Sequence, residues 1–417
     1  MTERRVVVTG LGAVSCAGNS ADELWASLVA GRSGIGETTL FDTTGLPRAA
    51  GEVKNFSPAD LSPKESRRMA RFTRFAIGAA DEAMAQAGVP AAPEECGIDP
   101  FRFGVYFSNG DGGVEEYDRG VEALDRRGPG GVSAFFMPKF IPNSACGALA
   151  IRHKLRGPNF DPVSACASSA HAIGEGVWTI KRGDADMMLA GGSEACLTRL
   201  MTSGFNALTA LSRATPPESA CRPFDRDRDG FVMAEGAAAL VLEELEHAQK
   251  RGAEILAEVS GYGASCDATH ITAPDPEGAG MIYAIRRALR MAGCSPADIG
   301  AIFAHGTGTR TNDLVEAKVF RAVFGDDLSR IKISAIKSMI GHAMSAAGAL
   351  AALAAVRTLQ SGILPPTINC RDLDPECAGL DVNPDGAAKI DPRFVLVDTL
   401  GFGGHNAALV LKKWEGR

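Results

Sequence analysis

Positive charge is in short supply: 43 Lys and Arg face 50 Asp and Glu, for a formal net charge of −7. General nucleic-acid binding is therefore excluded, because neutralising phosphates needs a basic face. None of the ten cysteines forms a CxxC pair, and no histidine cluster stands beside one. That removes a disulfide scaffold and a structural zinc site, and the scattered free thiols predict a reducing, cytoplasmic setting. Long apolar runs are missing too. The charge-free stretch Ala343–Val356 is too short for a bilayer, and Met1-Thr-Glu-Arg-Arg runs straight into Val6-Val7-Val8 without a signal-peptide core. No P-loop, HExxH or GxSxG motif occurs. Gly10-Leu-Gly12 has Ser15 where a dinucleotide fingerprint needs its third glycine.

What is present reads as globular: 417 residues, 45% hydrophobic, 22% charged, 6% aromatic, with 48 glycines. The length predicts two or three units. Val6–Val8, Gly104–Phe107, Met187–Ala190, Ala238–Leu242, Ala301–Phe303, Ile331–Ser334 and Phe394–Val397 read as strands. Ala70–Ala87, Ser168–Lys181, Ile282–Ala292 and Ala346–Leu359 read as helices. Buried strands separated by helices define an α/β fold. A charged helix, Glu243 to Arg251, stops at Gly252, which divides the chain into halves 1–251 and 252–417. Phe160–Cys166 and Ile331–Lys337 each run from a strand through Ser-Ala to a reactive residue and a small-residue helix, a sign of duplication that pairs Cys166 with Lys337.

Cys166 opens the helix of Val163-Ser-Ala-Cys-Ala-Ser-Ser-Ala-His171, with Ser164 as a candidate N-cap. At the positive end of a helix a thiolate is favoured over a thiol, and nearby N–H groups can hold an oxyanion. The bland alternative is an inert buried cysteine. His305, in Ala304-His-Gly-Thr-Gly-Thr309, and His342, after Lys337-Ser-Met-Ile-Gly341, each follow a strand, where open α/β sheets gather their sites. His153, His171 and His270 have weaker cases, and His247 reads as solvated on its charged helix. Lys337 is either buried and paired, with Glu316 the nominated carboxylate, or it caps a strand at the surface. Gly401-Phe-Gly-Gly-His-Asn406 suits close backbone approach.

These motifs, with Arg222-Pro-Phe-Asp-Arg-Asp-Arg-Asp-Gly-Phe231, resemble the elongating, type II β-ketoacyl-acyl-carrier-protein synthases from Arg5 to about Lys413. The resemblance implies a thiolase-like fold: duplicated α/β halves in five αβαβα layers. It also implies a decarboxylative Claisen condensation. Cys166 would carry the acyl chain, His305 and His342 would stabilise the malonyl enolate, and Lys337 with Glu316 would set the histidines' electrostatics. The N–H groups of Cys166 and Phe402 would form an oxyanion hole, Phe402 would gate the site, and Thr307 and Thr309 would hold the pantetheine arm. Neither a metal nor a resident cofactor is implied, since phosphopantetheine arrives on the acyl carrier protein. Lys64, Arg67, Arg68 and Arg213 match the family's carrier-docking positions. A homodimer is implied, with a heterodimer as the alternative.

Three positions depart from the family pattern. Ala234 replaces a common glycine, and Gly308 a serine frequent in fatty-acid synthases. Asp111 stands where many relatives line the acyl pocket with an apolar side chain, which predicts a short, unsaturated or polar acyl substrate, as in polyene or polyketide pathways. The competing readings are the ketosynthase of a heterodimeric polyketide system, a catalytically silent partner subunit, and a priming synthase or thiolase using coenzyme A thioesters.

Overall fold

One pattern of strands and helices is traced twice. The structure, a computed structural model, describes residues 4–58, 61–384 and 386–416; Met1, Thr2 and Glu3 lie outside them. The first pass runs β1 (Val6–Ser15), α1 (Arg71–Gln86), β2 (Phe103–Ser108), α2 (Ser144–His153), β3 (Asn159–Phe160), α3 (Ser168–Arg182), β4 (Met187–Glu194) and β5 (Gly236–Glu244). The second runs β6 (Ala257–Cys266), α4 (Ala279–Ala292), β7 (Ile299–Phe303), α5 (Arg310–Phe324) and β8 (Lys332–Ser334). It continues through α6 (Lys337–Ile340), α7 (Ala347–Ser361), β9 (Asp381–Val382), β10 (Phe394–Gly401) and β11 (His405–Lys413).

Strand order is β9-β8-β7-β10-β11-β6-β1-β5-β4-β2-β3. Apart from the edge strand β9, each half mirrors the other about the β6–β1 contact. There Val7 and Val8 pair with Glu258 and Ala257. In both halves the three strands farthest from this contact are parallel, and the two nearest it are antiparallel.

The layers follow from which faces are apolar. α3 and α7 are buried almost all round and form the middle layer, with Ile173, Val177, Leu350 and Leu353 in a core shared with both half-sheets. α1 and α2 cover one outer face through Phe72, Phe75 and Leu149, and α4 and α5 cover the other through Ile285, Leu289 and Phe320. This is the five-layer thiolase-like arrangement. Among the described residues no helix is long and apolar enough to cross a membrane.

Gly10-Leu-Gly12 proves to be a packing device. A Cβ on Gly12 would lie 1.9 Å from the Ala79 carbonyl oxygen of α1, and one on Gly263 of β6 would lie 1.9 Å from that of Ala284 in α4. The same glycine-to-helix contact thus recurs at the same place in each half.

Three local expectations need correcting. The charged helix spans only Leu245–Lys250. Glu243 belongs to β5 and is buried, because Arg251, His247 and Thr9 all bond its carboxylate. His247 is accordingly half-buried against Glu243, not solvated. The duplication also has another register. Ala165–Ala167 and Met344–Ala346 are the 3-10 turns that lead into α3 and α7, each helix 15 residues long. The counterpart of Cys166 is therefore Ser345, and Lys337 lies a short helix earlier.

Candidate active site

Cys166 sits on the turn ahead of α3, not within the helix. Ala165 holds φ at +50°, a conformation costly for a residue with a Cβ. Ser168 stabilises that turn: its hydroxyl accepts from the Ser164 N–H at 2.8 Å and donates to the Ala165 carbonyl at 2.6 Å. Ser164 makes no side-chain cap, and its hydroxyl meets His171 Nδ1 at 2.5 Å instead. Burial pushes the His171 imidazole down to about 4, so it is neutral.

The second half supplies both imidazoles. His305 lies on the loop after β7, which α5 fastens with its own acids. Glu316 Oε2 accepts from the Gly306 N–H at 2.8 Å and Asn312 Nδ2 at 2.6 Å, and Asp313 accepts from the Gly308 and Phe224 amides. Arg228, from the motif Arg222–Phe231, is fully buried beneath this loop. It donates to the Thr309 and Arg310 carbonyls and pairs with Asp374 at 2.6 Å and Asp313 at 3.6 Å. His342 is held by its backbone, its N–H donating to the Val232 carbonyl and its C=O accepting from the Ala234 N–H. The Ala234 methyl faces Gly51 and Gly341, so the departure from glycine fits without a clash.

These loops converge. His342 Nε2 lies 3.0 Å from Cys166 Sγ, and the His305 and His342 ring centroids stand 5.4 Å apart, nearly perpendicular. Cys166, His305, His342, Thr307, Thr309, Phe402 and Asp111 all line one cavity of about 610 Å³, within the usual range for small-molecule sites. The Thr307 and Thr309 hydroxyls are 3.0 Å apart. Phe402 is half-exposed at the β10–β11 turn, 6.4 Å from the Phe205 ring, and its N–H faces the Cys166 sulfur. Gly403 and Gly404 beside it hold positive φ, +88° and +75°, which a side chain would resist.

Electrostatics overturn one expectation. Burial pushes the Cys166 thiol up to about 12, with Lys337 opposing and Asp111 and Glu194 adding to the rise. From an ordinary 9.0 that is a cost of about 4 kcal/mol to the thiolate, whereas a helix terminus returns about 1–2. Desolvation wins. Burial favours the thiol form of Cys166, and His342 Nε2 stands within hydrogen-bonding distance of it. Burial, then the nearby Lys337 charge, hold both catalytic-site imidazoles well below the ordinary histidine range.

Lys337 is buried, not a surface cap. Its ammonium donates to the His305 carbonyl at 2.6 Å and stands 3.5 Å from His305 Nδ1. It makes no ion pair with Glu316; that carboxylate acts on it only at longer range, while burial lowers the Lys337 pKa. Lys337 and Glu316 lie behind the cavity wall. Lys64 and Arg67 lie on or just after the exposed helix Pro63–Ser66, and Arg68 follows, over the Phe135 ring. None of these three lines the cavity. Arg213 is exposed at the rim, its N–H donating to Asp229, a lining residue. Residues unforeseen in the sequence complete the site. Glu194 lines the cavity and accepts from Asn109, Gly110 and Ser345, and Asp398 lies buried behind His305.

A cysteine and two neutral imidazoles meeting at the middle of a duplicated five-layer fold define a thiolase-fold acyl-transfer enzyme. The chain belongs to the β-ketoacyl synthase family: it matches the family's N-terminal domain over residues 3–248 and its C-terminal domain over 256–371. It is 44% identical, over 99% of both chains, to a 3-oxoacyl-[acyl-carrier-protein] synthase 2 of Staphylococcus aureus (strain COL). A protein of the same name from Coxiella burnetii (strain RSA 493 / Nine Mile phase I) is 42% identical over 99% of both. Among solved structures, the ishigamide ketosynthase/chain length factor superposes with a TM-score of 0.91 at 36% identity, covering 99% of this chain and 100% of that one. A β-ketoacyl synthase from Burkholderia phymatum STM815 gives 0.89 at 34%, with the same coverage. A type II polyketide ketosynthase in complex with its acyl-carrier protein and bound to the hexaketide gives 0.90 at 32%, again with that coverage.

Proposed function

We propose that this chain is a 3-oxoacyl-[acyl-carrier-protein] synthase, and that the 3.0 Å approach of His342 Nε2 to Cys166 Sγ is the observation that carries the chemistry. The Cys166 sulfur attacks the acyl thioester of the carrier's pantetheine arm while His342 takes the thiol proton. The N–H groups of Cys166 and Phe402 hold the tetrahedral oxyanion. Its collapse releases the pantetheine sulfur, which receives the proton from His342. Malonyl-carrier then loses carbon dioxide. The electron pair of the broken C–C bond moves to the thioester oxygen, stabilised by the Nε2–H of His305 and by His342 once its ring proton has moved from Nδ1 to Nε2. Lys337, close to His305 Nδ1, leaves Nε2 as the protonated nitrogen facing substrate. The enolate carbon attacks the Cys166 thioester as its own carbonyl re-forms, and the sulfur leaves as a thiolate that takes a proton from water. Loss of carbon dioxide supplies the driving force, and no resident cofactor takes part.

The carrier reaches the cavity by its pantetheine arm between Thr307 and Thr309, with Lys64, Arg67, Arg68 and Arg213 as basic contacts for an acidic partner. The exposed apolar side chains Tyr117, Val121, Leu124, Phe135, Met137 and Ile141 cluster in sequence on and around the helices Val114–Arg127 and Phe136–Phe140. A second copy of the chain is the proposed cover for them, and a non-identical thiolase-fold partner is the alternative.

Asp111 favours a specialised acyl chain. It lines the cavity with Glu194, and burial raises both carboxyls, Glu194 to about 8. Polar groups there penalise a long saturated chain. Mass spectrometry after incubation with acyl-carrier tests the main reading: it requires an acyl adduct on Cys166 that Cys166→Ala abolishes. A flat chain-length profile reaching long saturated chains, unchanged in Asp111→Ile, contradicts the specialised substrate.

A further inference from the structure

Behind the imidazoles lies a group of charges whose balance does not close. Asp313, Glu316 and Asp398 are fully buried, as are Lys337 and Arg228. Arg228 is taken up by Asp313 and Asp374. That leaves Glu316 and Asp398 against the single charge of Lys337. Neither oxygen of Asp398 makes a short, well-aligned hydrogen bond, nor does Glu316 Oε1, although the His305 backbone N–H faces the Asp398 carboxyl and the two carboxyls are within hydrogen-bonding reach of each other. Two carboxylates cannot bond; a carboxyl and a carboxylate can. Among the described residues no three metal-binding side chains converge there, so a proton is the cation that fits.

We propose that Glu316 and Asp398 hold one proton between them, and that Asp398 is a positioning residue for the condensation. The singly charged pair balances Lys337, which keeps its ammonium on the His305 carbonyl and so fixes which His305 nitrogen faces substrate. Asp398 acts through Lys337 and touches no reacting atom. The groups facing the pair are Asp313 from α5, on the Glu316 side, with Lys337 from α6 and, against Asp398, the backbone of His305 from the loop after β7. The strand neighbours of Asp398 bring no charge, with Ala408 opposite on β11 and Phe303 beside Val397 on β7. Burial raises both carboxyls, Asp398 to about 7, so the pair sheds its shared proton on the alkaline side. The surplus negative charge then opposes the enolate. The role in catalysis rests on the condensing reading above; the shared proton does not.

Infrared difference spectra of the full chain separate the two. At about pH 7, Asp398→Asn and Glu316→Gln should each remove the same single protonated-carboxyl band. Survival of that same band in Asp398→Asn, or loss of different bands in the two variants, overturns the shared proton; bands common to the parent and both variants, such as that of the Glu194 carboxyl, cancel in the difference. Malonyl-carrier decarboxylation tests the positioning role. The ratio of the rate at pH 9 to that at pH 7 should be about threefold higher in Asp398→Asn than in the parent, because one alkaline ionisation is gone. An identical ratio overturns that role, while an enzyme with no decarboxylation at all contradicts the condensing reading and leaves the infrared result to stand alone.

Discussion

Cys166 and Ser345 occupy equivalent positions in the two halves of the chain. Each is the middle residue of a 3-10 turn that opens a 15-residue central helix, and each follows a residue forced to positive φ, Ala165 at +50° and Met344 at +42°. The turn that presents the Cys166 thiol to the cavity in one half holds a hydroxyl bonded to Glu194 in the other. Ser345 donates to Glu194 at 2.7 Å and so ties the second half to the wall of the acyl cavity.

Ser345→Ala strips Glu194 of that donor. The expected cost is about 1–3 kcal/mol of stability in urea unfolding, while the Cys166 adduct still forms. Loss of the adduct would mean that the second turn takes part in acyl transfer.

Lys337→Ala removes the donor to the His305 carbonyl. We expect malonyl decarboxylation to fall by about a hundredfold or more, with acylation of Cys166 retained, since His342 contacts the sulfur and Lys337 does not. Equal losses in both half-reactions would place Lys337 in acylation as well.

Buried imidazoles also shape the dependence of stability on acid. His305 and His342 stay neutral in the folded chain but take up protons when unfolded, below about pH 6.5. The unfolded state then binds more protons, so stability falls as pH falls through that value. Each such histidine contributes about 1.4 kcal/mol per pH unit below it. His342→Asn should flatten the slope between pH 6 and 4.5 by that amount, as read by denaturant unfolding at each pH. An unchanged slope would show that His342 is protonated in the fold.

Much of this was legible in the residues. Seven strands stand out because they are short apolar runs, and four helices because their apolar residues recur at helical spacing. β6 and β11 did not, since Gly261 and Gly263 thin the first and His405-Asn406, at the start of the second, reads as a glycine loop. Cys166, His305 and His342 could be placed by motif and prove to share a cavity. The register of the duplication was hidden because Ser-Ala occurs at both 334–335 and 345–346, and only the backbone of Met344 separates them. Thiolate activation by helix position failed as an expectation because sequence shows a helix start and not the desolvation around it. Asp398 left one signal, a lone acid inside the apolar run Phe394–Leu400, where an unpaired charge is costly.

The most direct measurement is made on Cys166→Gln. With no sulfur to load, the variant should still release carbon dioxide from malonyl-carrier, because His305 and His342 remain, and it should form no 3-oxoacyl product. Carbon dioxide release that stops along with condensation, or condensation that continues without the sulfur, contradicts the division of labour between Cys166 and the two imidazoles.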